Sequence, residues 1–314
     1  MKSKKIISIV SPCYNEEENI LECYQRVKDV FDNLLEEYDY EHIFSDNNSE
    51  DGTLSVLKNI AKKDRKVKII VNSRNFGVLP STFNAILRTS GDGIIPMLSA
   101  DLQDPPEIIP DFVRKWEEGY EVVSGSRKNR EEGFIKRSLR IIYYRIVNKI
   151  SDFNIPNDVG EYQLIDRVVV NALKQFEDYN PYIRGMISNC GFKSTIVKYK
   201  HAARKKGKSK FNFYVNYDFA MNGLISFSRV PLRIAFMLGI FISFLSLLYA
   251  IYLSIDIILY GGLVDPGIAS ILIGQFIFFG IILIFLGIIG EYISAIHTQV
   301  RKKPLVIERE IINF

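Results

Sequence analysis

The chain lacks the patterns that a disulfide framework or a zinc site requires. Its three cysteines, Cys13, Cys23 and Cys190, are odd in number and show no Cys-x-x-Cys spacing. Its three histidines show no His-x-x-x-His or His-x-His spacing. These absences argue against a cysteine-rich secreted fold and a zinc enzyme, and they favour buried thiols in a reducing compartment.

The N-terminus also lacks a secretory signal. After the basic residues at 1–5, only residues 6–10 form an apolar stretch, which is too short for the h-region of a signal peptide. We therefore expect this end of the chain to stay in the cytosol.

Two stretches of the C-terminal third contain no Asp, Glu, Lys, Arg or His, namely residues 234–255 and 267–290. A helix rises about 1.5 Å per residue, so each could cross a hydrocarbon core of about 30 Å. Arg and Lys flank the pair on the outside, whereas the only charged residues of the connecting loop 256–266 are Asp256 and Asp265. The sequence predicts two transmembrane helices in a multi-pass membrane protein with both termini cytoplasmic.

The first 126 residues alternate strand and helix patterns, which predicts an α/β fold with a mostly parallel sheet. The predicted strands lie at residues 6–11, 42–45, 67–71, 93–98 and 120–124. The predicted helices lie at residues 17–38, around 54–60, and at 81–88 and 106–118. Ligands of such sheets bind at the carboxyl ends of the strands.

Basic residues cluster beyond residue 126. Residues 135–150 have the pattern of a basic amphipathic helix, suited to an anionic lipid surface or to an ordinary protein surface. Residues 191–217 contain eight Lys or Arg and no acid. Charge alone would allow nucleic acid, but the adjacent predicted spans favour phosphate and lipid headgroups. Residues 212–230 are predicted to form an interfacial amphipathic helix.

Polar turns follow three predicted strands, with the sequences PCYNE (12–16), DNNSEDG (46–52) and SADLQDPP (99–106). Each turn alone is a weak signal, because Asp and Asn favour turns for local reasons. Asp46 and Asp101 nevertheless both fall just after predicted strands, so we expect them to line one crevice. Hard oxygen ligands such as Asp101 suit Mg²⁺ or Mn²⁺, which also coordinates nucleotide phosphates.

These motifs make the chain resemble a family-two glycosyltransferase of the GT-A fold. It is most similar to the polyprenyl-phosphate glycosyltransferases, which include dolichol-phosphate mannose synthase and the bactoprenol glucosyltransferases. The most specific stretches are DLQDPPE (101–107), KWEEGY (115–120), VPLR (230–233) and LGIIGEY (286–292). The resemblance implies a cytosolic Rossmann-like catalytic domain at 1–211 and the interfacial helix at 212–230. A two-helix transmembrane hairpin within 231–292 and a cytosolic tail at 293–314 complete the expected organisation.

The same resemblance implies roles for individual residues. Seven match positions that bind the nucleotide sugar, namely Pro12, Tyr14, Glu16, Asp46, Arg204, Ser209 and Lys210. Asp101 and Gln103 match metal ligands. The positions matching catalytic and acceptor-side residues are Asp101, Asp158, Arg127 and Arg137.

Two departures from the family pattern concern acidic residues. Asn47 and Asn48 stand in DNNS (46–49), where the family usually has Asp-Asp-Gly-Ser. Ser99 stands in SAD (99–101), where it usually has Asp-x-Asp. The missing acid predicts a weaker or altered metal site, an unusual donor, or an inactive protein.

A lipid phosphate acceptor would simplify the chemistry, because it is already anionic and needs no strong general base. Arg127 and Arg137 would clamp that phosphate, and attack opposite the leaving group would invert the anomeric centre. The sequence therefore predicts an inverting transferase that adds one sugar to a polyprenyl phosphate, for cell-envelope polysaccharide or glycan modification.

Three alternatives remain open. A processive polysaccharide synthase shares the fold but carries a Gln-x-x-Arg-Trp motif, whereas the only tryptophan here is Trp116 in another context. Transfer to a lipid hydroxyl would require a clearer general base. A non-catalytic membrane scaffold is supported mainly by Ser99.

The C-terminal tail adds a prediction about assembly. Residues 304–312 alternate like a strand and could pair with another protomer, in keeping with the homo-oligomers that the family resemblance implies. Residues 78–84 are expected to contribute to the donor pocket.

Overall fold

The computed structural model describes residues 4–128, 159–179, 181–200, 230–260 and 268–314. The strands are β1 (Ile6–Cys13), β2 (Asp39–Asp46), β3 (Val67–Asn72), β4 (Gly93–Ile95), β5 (Val122–Lys128), β6 (Val159–Asp166), β7 (Ser194–Lys200) and β8 (Glu308–Ile312). The helices are α1 (Glu17–Asn33), α2 (Thr53–Lys63), α3 (Val78–Leu87), α4 (Ile109–Glu117), α5 (Arg167–Leu173), α6 (Ile183–Asn189), α7 (Val230–Tyr260) and α8 (Ile268–Val300). The predicted helices at 135–150 and 212–229 lie outside the described residues.

The described strands form one mixed sheet in the order β7-β5-β6-β4-β1-β2-β3-β8. At its centre β4, β1, β2 and β3 run parallel, as the βα alternation predicts. Antiparallel pairing comes from β6, against both β4 and β5, and from β8 against β3. The sheet is thus parallel where the predicted site lies and mixed towards both ends.

Two hydrophobic cores cover the two faces of the sheet, because successive strand residues point to opposite faces. On β2, Phe44 belongs to one core and Ile43 to the other. On β3, Ile69 and Ile70 divide in the same way. The first core takes buried residues from α1, α2 and α4, and the second takes them from α3, α5 and α6. Burial on both faces explains why β2 and β3 each carry consecutive apolar residues at their centres.

The helix predicted at 106–118 is interrupted near its start. Residues Pro106–Ile108 form a 3₁₀ turn, and α4 begins only at Ile109. Pro110 is in the first turn of α4, where its missing N–H costs little because first-turn donors have no intrahelical partner. The prediction of a helix is correct, but its first turn has the tighter geometry.

The two long C-terminal helices extend beyond the predicted spans, and α8 continues to Val300. Within the described residues, one segment, Phe278–Val300, is long and apolar enough to cross a membrane, and it is not buried against the protein. A shorter apolar segment, Ala235–Tyr249, lies in α7. Two transmembrane spans therefore remain a prediction.

The tail forms a strand, as the sequence predicts, and this strand joins the sheet of its own chain. Strand β8 pairs antiparallel with β3 of its own chain, with Ile312 opposite Ile69. Side chains reinforce this edge: Arg88 forms a two-point contact with Glu308 (3.1 and 2.7 Å), and Asn84 donates to the same carboxylate (2.7 Å). Sequence alternation identified the strand, but the partner depends on the free edge of β3.

We expect Glu308→Ala to destabilise the tail much more than Glu310→Ala. Glu308 is 17% exposed and accepts three hydrogen bonds, two of them from a guanidinium. Glu310 is 45% exposed and pairs with Lys58 alone. Glu308→Ala should lower the free energy of unfolding by about 1–2 kcal/mol, and Glu310→Ala should lower it by less than about 0.5 kcal/mol. Thermal unfolding of the full chain in detergent would check this, and equal shifts would contradict the assigned role of Glu308.

Candidate active site

The first two polar turns meet because β1 and β2 are in parallel register. Cys13 and Asp46, the last residues of the two strands, lie opposite each other. The Asn47 N–H continues the ladder by donating to the Cys13 carbonyl oxygen (2.9 Å). Asp46 therefore lies at the carboxyl edge of the sheet, as the sequence predicts.

Hydrogen bonds join these two turns directly. The Asn15 N–H donates to Ser49 Oγ (2.9 Å), and the Glu50 N–H donates to Asn15 Oδ1 (2.8 Å). The Glu16 N–H donates to Thr53 Oγ1 (2.9 Å). Asn15 has a left-handed φ of 54°, a conformation that Asn tolerates better than most residues. The two turns thus form one rigid rim.

The predicted nucleotide-binding residues of this rim differ in exposure. Pro12, Tyr14 and Glu16 are half-buried, whereas Asp46 is fully buried. Burial raises the pKa of Asp46 above its usual value, although hydrogen bonds from Ser49 N–H and Oγ oppose the shift. Asp46 is therefore a buried hydrogen-bond acceptor whose orientation is fixed by Ser49, and not a solvent-exposed charge.

The third turn carries Asp101 and lies beside β1. The Leu98 N–H donates to the Val10 carbonyl oxygen (2.8 Å), which extends the parallel alignment past the end of β4. Leu102 in this turn is buried, and its backbone has a left-handed φ of 57°. A left-handed conformation costs a non-glycine residue about 1–2 kcal/mol. Such strain is typical of functional turns, and here it immediately follows Asp101.

Two buried thiols, Cys13 and Cys23, lie within electrostatic reach of acids from the three turns. The pKa of Cys23 is raised to about 12, mainly by burial; the charges of Asp101 and Glu16 add to this effect, and Ser11 and Arg26 oppose it. Burial likewise raises the pKa of Cys13, with Asp46 and Glu16 adding to it. These effects agree with the backbone ladder, which brings all three turns to the carboxyl edge of the sheet.

Asp101 and Gln103 provide the oxygen ligands that the sequence assigns to a metal. Both are half-buried, and the Gln103 N–H donates to Asp101 Oδ1 (3.2 Å), which orients the carboxylate. Among the described residues, no group of three His, Cys, Asp or Glu side chains could enclose an ion. Mg²⁺ is commonly held by one or two carboxylates together with substrate phosphates and water. The donor set therefore fits a metal that binds jointly with a phosphate ligand.

Asn47 has a structural reason to replace the usual acid. Its Nδ2 donates to the Gly77 carbonyl oxygen (3.0 Å), while its Oδ1 accepts from Asn72 Nδ2 (3.1 Å) and the Phe76 N–H (3.0 Å). A carboxylate could accept these bonds but could not donate to Gly77. Asn47 thus holds the loop after β3 against the rim.

Arg127, the predicted phosphate ligand, lies in a contact group that the sequence did not reveal. Its Nη2 donates to Asp104 Oδ2 (3.2 Å) and its Nε to Tyr199 Oη (3.4 Å). Burial opposes the charge on the guanidinium, but Asp104 and Tyr199 outweigh it and raise the pKa of Arg127. The sequence offered one signal for Asp104, its position inside the DLQDPPE motif. It offered none for Tyr199, which lies on β7.

Glu161 and Arg184 form a second pair near Arg127. Glu161 is 27% exposed, and its Oε1 lies 3.9 Å from Arg184 Nε. Burial raises the pKa of Glu161, although Arg184 and Arg127 oppose the shift. Strand β6, which carries Glu161, pairs with β5, which carries Arg127, so both residues lie in the same part of the sheet. Sequence reasoning noted neither residue, because each is unremarkable in its local pattern.

The remaining predicted site residues cannot be placed. Asp158, Arg137, Arg204, Ser209 and Lys210 lie outside the described residues. Their roles stay predictions.

Similarity to solved structures is low in sequence. A mannosyltransferase from Pyrobaculum calidifontis, in complex with GDP-Man and Mn²⁺, is 15% identical and superposes with a TM-score of 0.48 over 71% of this chain and 63% of that chain. The glucosyl-3-phosphoglycerate synthase of Mycobacterium tuberculosis, in complex with Mn²⁺, UDP-glucose and phosphoglyceric acid, is 17% identical, with a TM-score of 0.48 over 71% and 79%.

Similarity to known sequences is much closer. The model of Glycosyl transferase family 2 matches residues 8–174. The uncharacterized glycosyltransferase YkcC of Bacillus subtilis is 38% identical over 96% of this chain and 92% of its own length. A protein of Shigella phage SfII named bactoprenol glucosyl transferase is 36% identical over 96% of both chains. The protein is therefore a glycosyltransferase and belongs to glycosyl transferase family 2.

Proposed function

We propose that this protein transfers one sugar from a nucleotide sugar to a polyprenyl phosphate at the cytoplasmic face of the cell membrane, with inversion at the anomeric carbon. The observation that carries the proposal is the near full-length similarity to the bactoprenol glucosyl transferase of Shigella phage SfII. The convergence of three acid-bearing turns at the carboxyl edge supports it, because a GT-A enzyme binds its donor there.

The donor would lie on the rim formed by the first two turns. Asp46 and Glu16 offer fixed oxygens to the nucleoside, and the loop held by Asn47 closes one side. Asp101 and Gln103 would hold Mg²⁺ or Mn²⁺, which supplies positive charge to the departing diphosphate. Arg204, Ser209 and Lys210 would add hydrogen bonds to the same diphosphate.

The acceptor phosphate would meet Arg127 on the other side of Asp101. An arginine has five N–H donors, and two of those of Arg127 are directed to Asp104 and Tyr199. These contacts fix the plane of the guanidinium, so that it can present further donors to a phosphate. Arg137 would complete the clamp and Asp158 would lie at the acceptor side. Because the phosphate is already anionic, the main demand is to bring two anions together.

Membrane placement follows from the same proposal. Helices α7 and α8 would form a hairpin whose short loop lies outside the cell, leaving the catalytic domain and tail in the cytoplasm. The many exposed large apolar side chains on both helices support this, because such surfaces are uncommon in water. Homo-oligomers remain part of the proposal, although contact through the tail strand no longer supports them.

The acceptor can be tested directly by offering one donor with polyprenyl phosphate, polyprenol or diacylglycerol and weighing the lipid products. We expect a single sugar on polyprenyl phosphate and none on either alcohol, because the alcohols lack the charge and the ready nucleophile. Arg127→Ala should weaken acceptor use by about tenfold to a hundredfold, the value of one charged hydrogen bond.

Arg114→Ala is the matched control, since Arg114 is 71% exposed on α4 and pairs only locally with Asp111. It should leave acceptor use unchanged, and donor binding should remain near normal in both variants. Preference for an alcohol, or a ladder of sugars on one lipid, would overturn the proposal.

A second prediction concerns the loop after β3 that Asn47 holds beside the proposed donor site, called here the donor loop. Asn47→Asp should lower donor affinity and cost about 1–3 kcal/mol of stability, because it removes the donor to Gly77 and buries a carboxyl beside Asp46. Asn48→Asp makes the same chemical change at a half-buried neighbouring position and should have little effect. Calorimetric donor titration and thermal unfolding would measure both. Equal behaviour of the two variants would show that Asn47 does not hold the loop.

A further inference from the structure

A cavity of about 260 Å³ lies where the C-terminal end of α8 meets the loop that follows β3. Its walls come from four parts of the chain. They include Phe76 from the loop after β3, Tyr179, and residues at and just beyond the end of α8. The cavity thus joins the end of the predicted membrane helix to the catalytic domain.

The cavity is lined by cations from two separate elements. Arg301 and Lys303 follow α8, and Arg74 comes from the loop after β3. Among the described residues that line it, none is Asp or Glu. Cations near a helix C-terminus are favoured by the helix dipole, which accounts for Arg301 and Lys303. The dipole does not account for Arg74, which reaches the same cavity from another element.

Specific contacts hold the walls in place. Gln299 donates through Nε2 to the Glu177 carbonyl oxygen and accepts from the Tyr179 N–H (3.2 Å), so the helix end is fixed to the catalytic domain. On the opposite wall, the Ser73 N–H donates to the Ile307 carbonyl oxygen (2.9 Å). The Arg74 guanidinium lies 3.9 Å from the centre of the Phe76 ring.

The turn after α8 selects which cations line the cavity. Lys302 has a left-handed φ of 45°. Arg301 and Lys303 on either side of it contribute to the walls, whereas Lys302 does not. All three residues are exposed cations, so Lys302 provides a neighbour of equal charge outside the cavity.

We propose that this cavity binds the phosphate of an anionic membrane lipid headgroup. Guanidinium groups match phosphate oxygens, and convergent cations without a lining acid favour an anion. The lipid source rests on the proposed membrane placement of α8, because the cavity lies at the C-terminal end of the apolar segment Phe278–Val300. Basic pockets at the cytoplasmic ends of membrane helices bind such headgroups.

Occupancy would affect the donor loop. Phe76 stacks with Arg74 in the cavity wall, and the Phe76 N–H donates to Asn47 on the rim of the active site. A bound phosphate that restrains Arg74 would therefore also steady the loop that Asn47 holds. The headgroup would act as a positioning ligand that favours donor binding when the protein lies on an anionic membrane.

The test titrates fluorescent phosphatidylglycerol into the full chain in a nonionic detergent. We expect Arg301→Gln, Lys303→Gln and Arg74→Gln each to weaken lipid binding by about tenfold, the value of one charged hydrogen bond. Lys302→Gln should change the affinity less than about twofold, although it removes the same charge. Equal losses in all four variants would show diffuse surface attraction, and no loss in the first three would exclude the cavity; either result overturns the proposal.

A second arm separates the source of the phosphate. Inorganic phosphate, compared with chloride at matched ionic strength, should displace the lipid only weakly; displacement with the affinity of the lipid itself would overturn a lipid ligand. Sugar transfer to polyprenyl phosphate is measured on the same preparations. If Lys303→Gln loses lipid binding and the wild type transfers no sugar, the cavity is upheld and the proposed function is refuted. If the wild type transfers sugar and Lys303→Gln binds the lipid normally, the proposed function is upheld and the cavity is refuted.

Discussion

The parallel register between β1 and its two neighbours is the constraint on which the site depends. Because Cys13 lies opposite Asp46 and Leu98 bonds back to Val10, three turns leave the sheet at one edge. Hydrogen bonds between Asn15 and Ser49 then lock two of them together. A slip by one residue would turn every strand side chain to the wrong face. The acids converge because the backbone ladder leaves no other arrangement.

Strand β3 links the proposed donor site to the C-terminal helices. Strand β8 returns from α8 to pair with β3, and Ser73, the residue after β3, bonds to Ile307 just before β8. The loop that follows reaches Asn47 in the site. The tail is therefore a structural part of the catalytic domain, and it ties the position of α8 to the donor loop.

Sequence patterns predicted the central sheet because alternation of apolar strands and helices reflects burial on two faces. They also predicted that Asp46 and Asp101 lie at the carboxyl edge, since Asp46 ends β2 and Asp101 lies in the turn that follows β4. The roles of Asp104 and Tyr199 were not predictable, because Arg127 meets them through contacts between distant segments. The pairing of β8 was missed for a similar reason: alternation identifies a strand but not the edge that it joins. The departure at Asn47 became understandable only when its amide was seen to donate as well as accept.

The central claim is that Asp101 holds a divalent ion shared with the donor diphosphate, despite Ser99 in place of the usual acid. Electron paramagnetic resonance of Mn²⁺ with the full chain and a nucleoside diphosphate tests this most directly. We predict nucleotide-dependent Mn²⁺ binding in the wild type, at least about tenfold weaker binding in Asp101→Asn, and loss of sugar transfer. Unchanged Mn²⁺ binding in a folded Asp101→Asn variant that still transfers sugar would contradict the account.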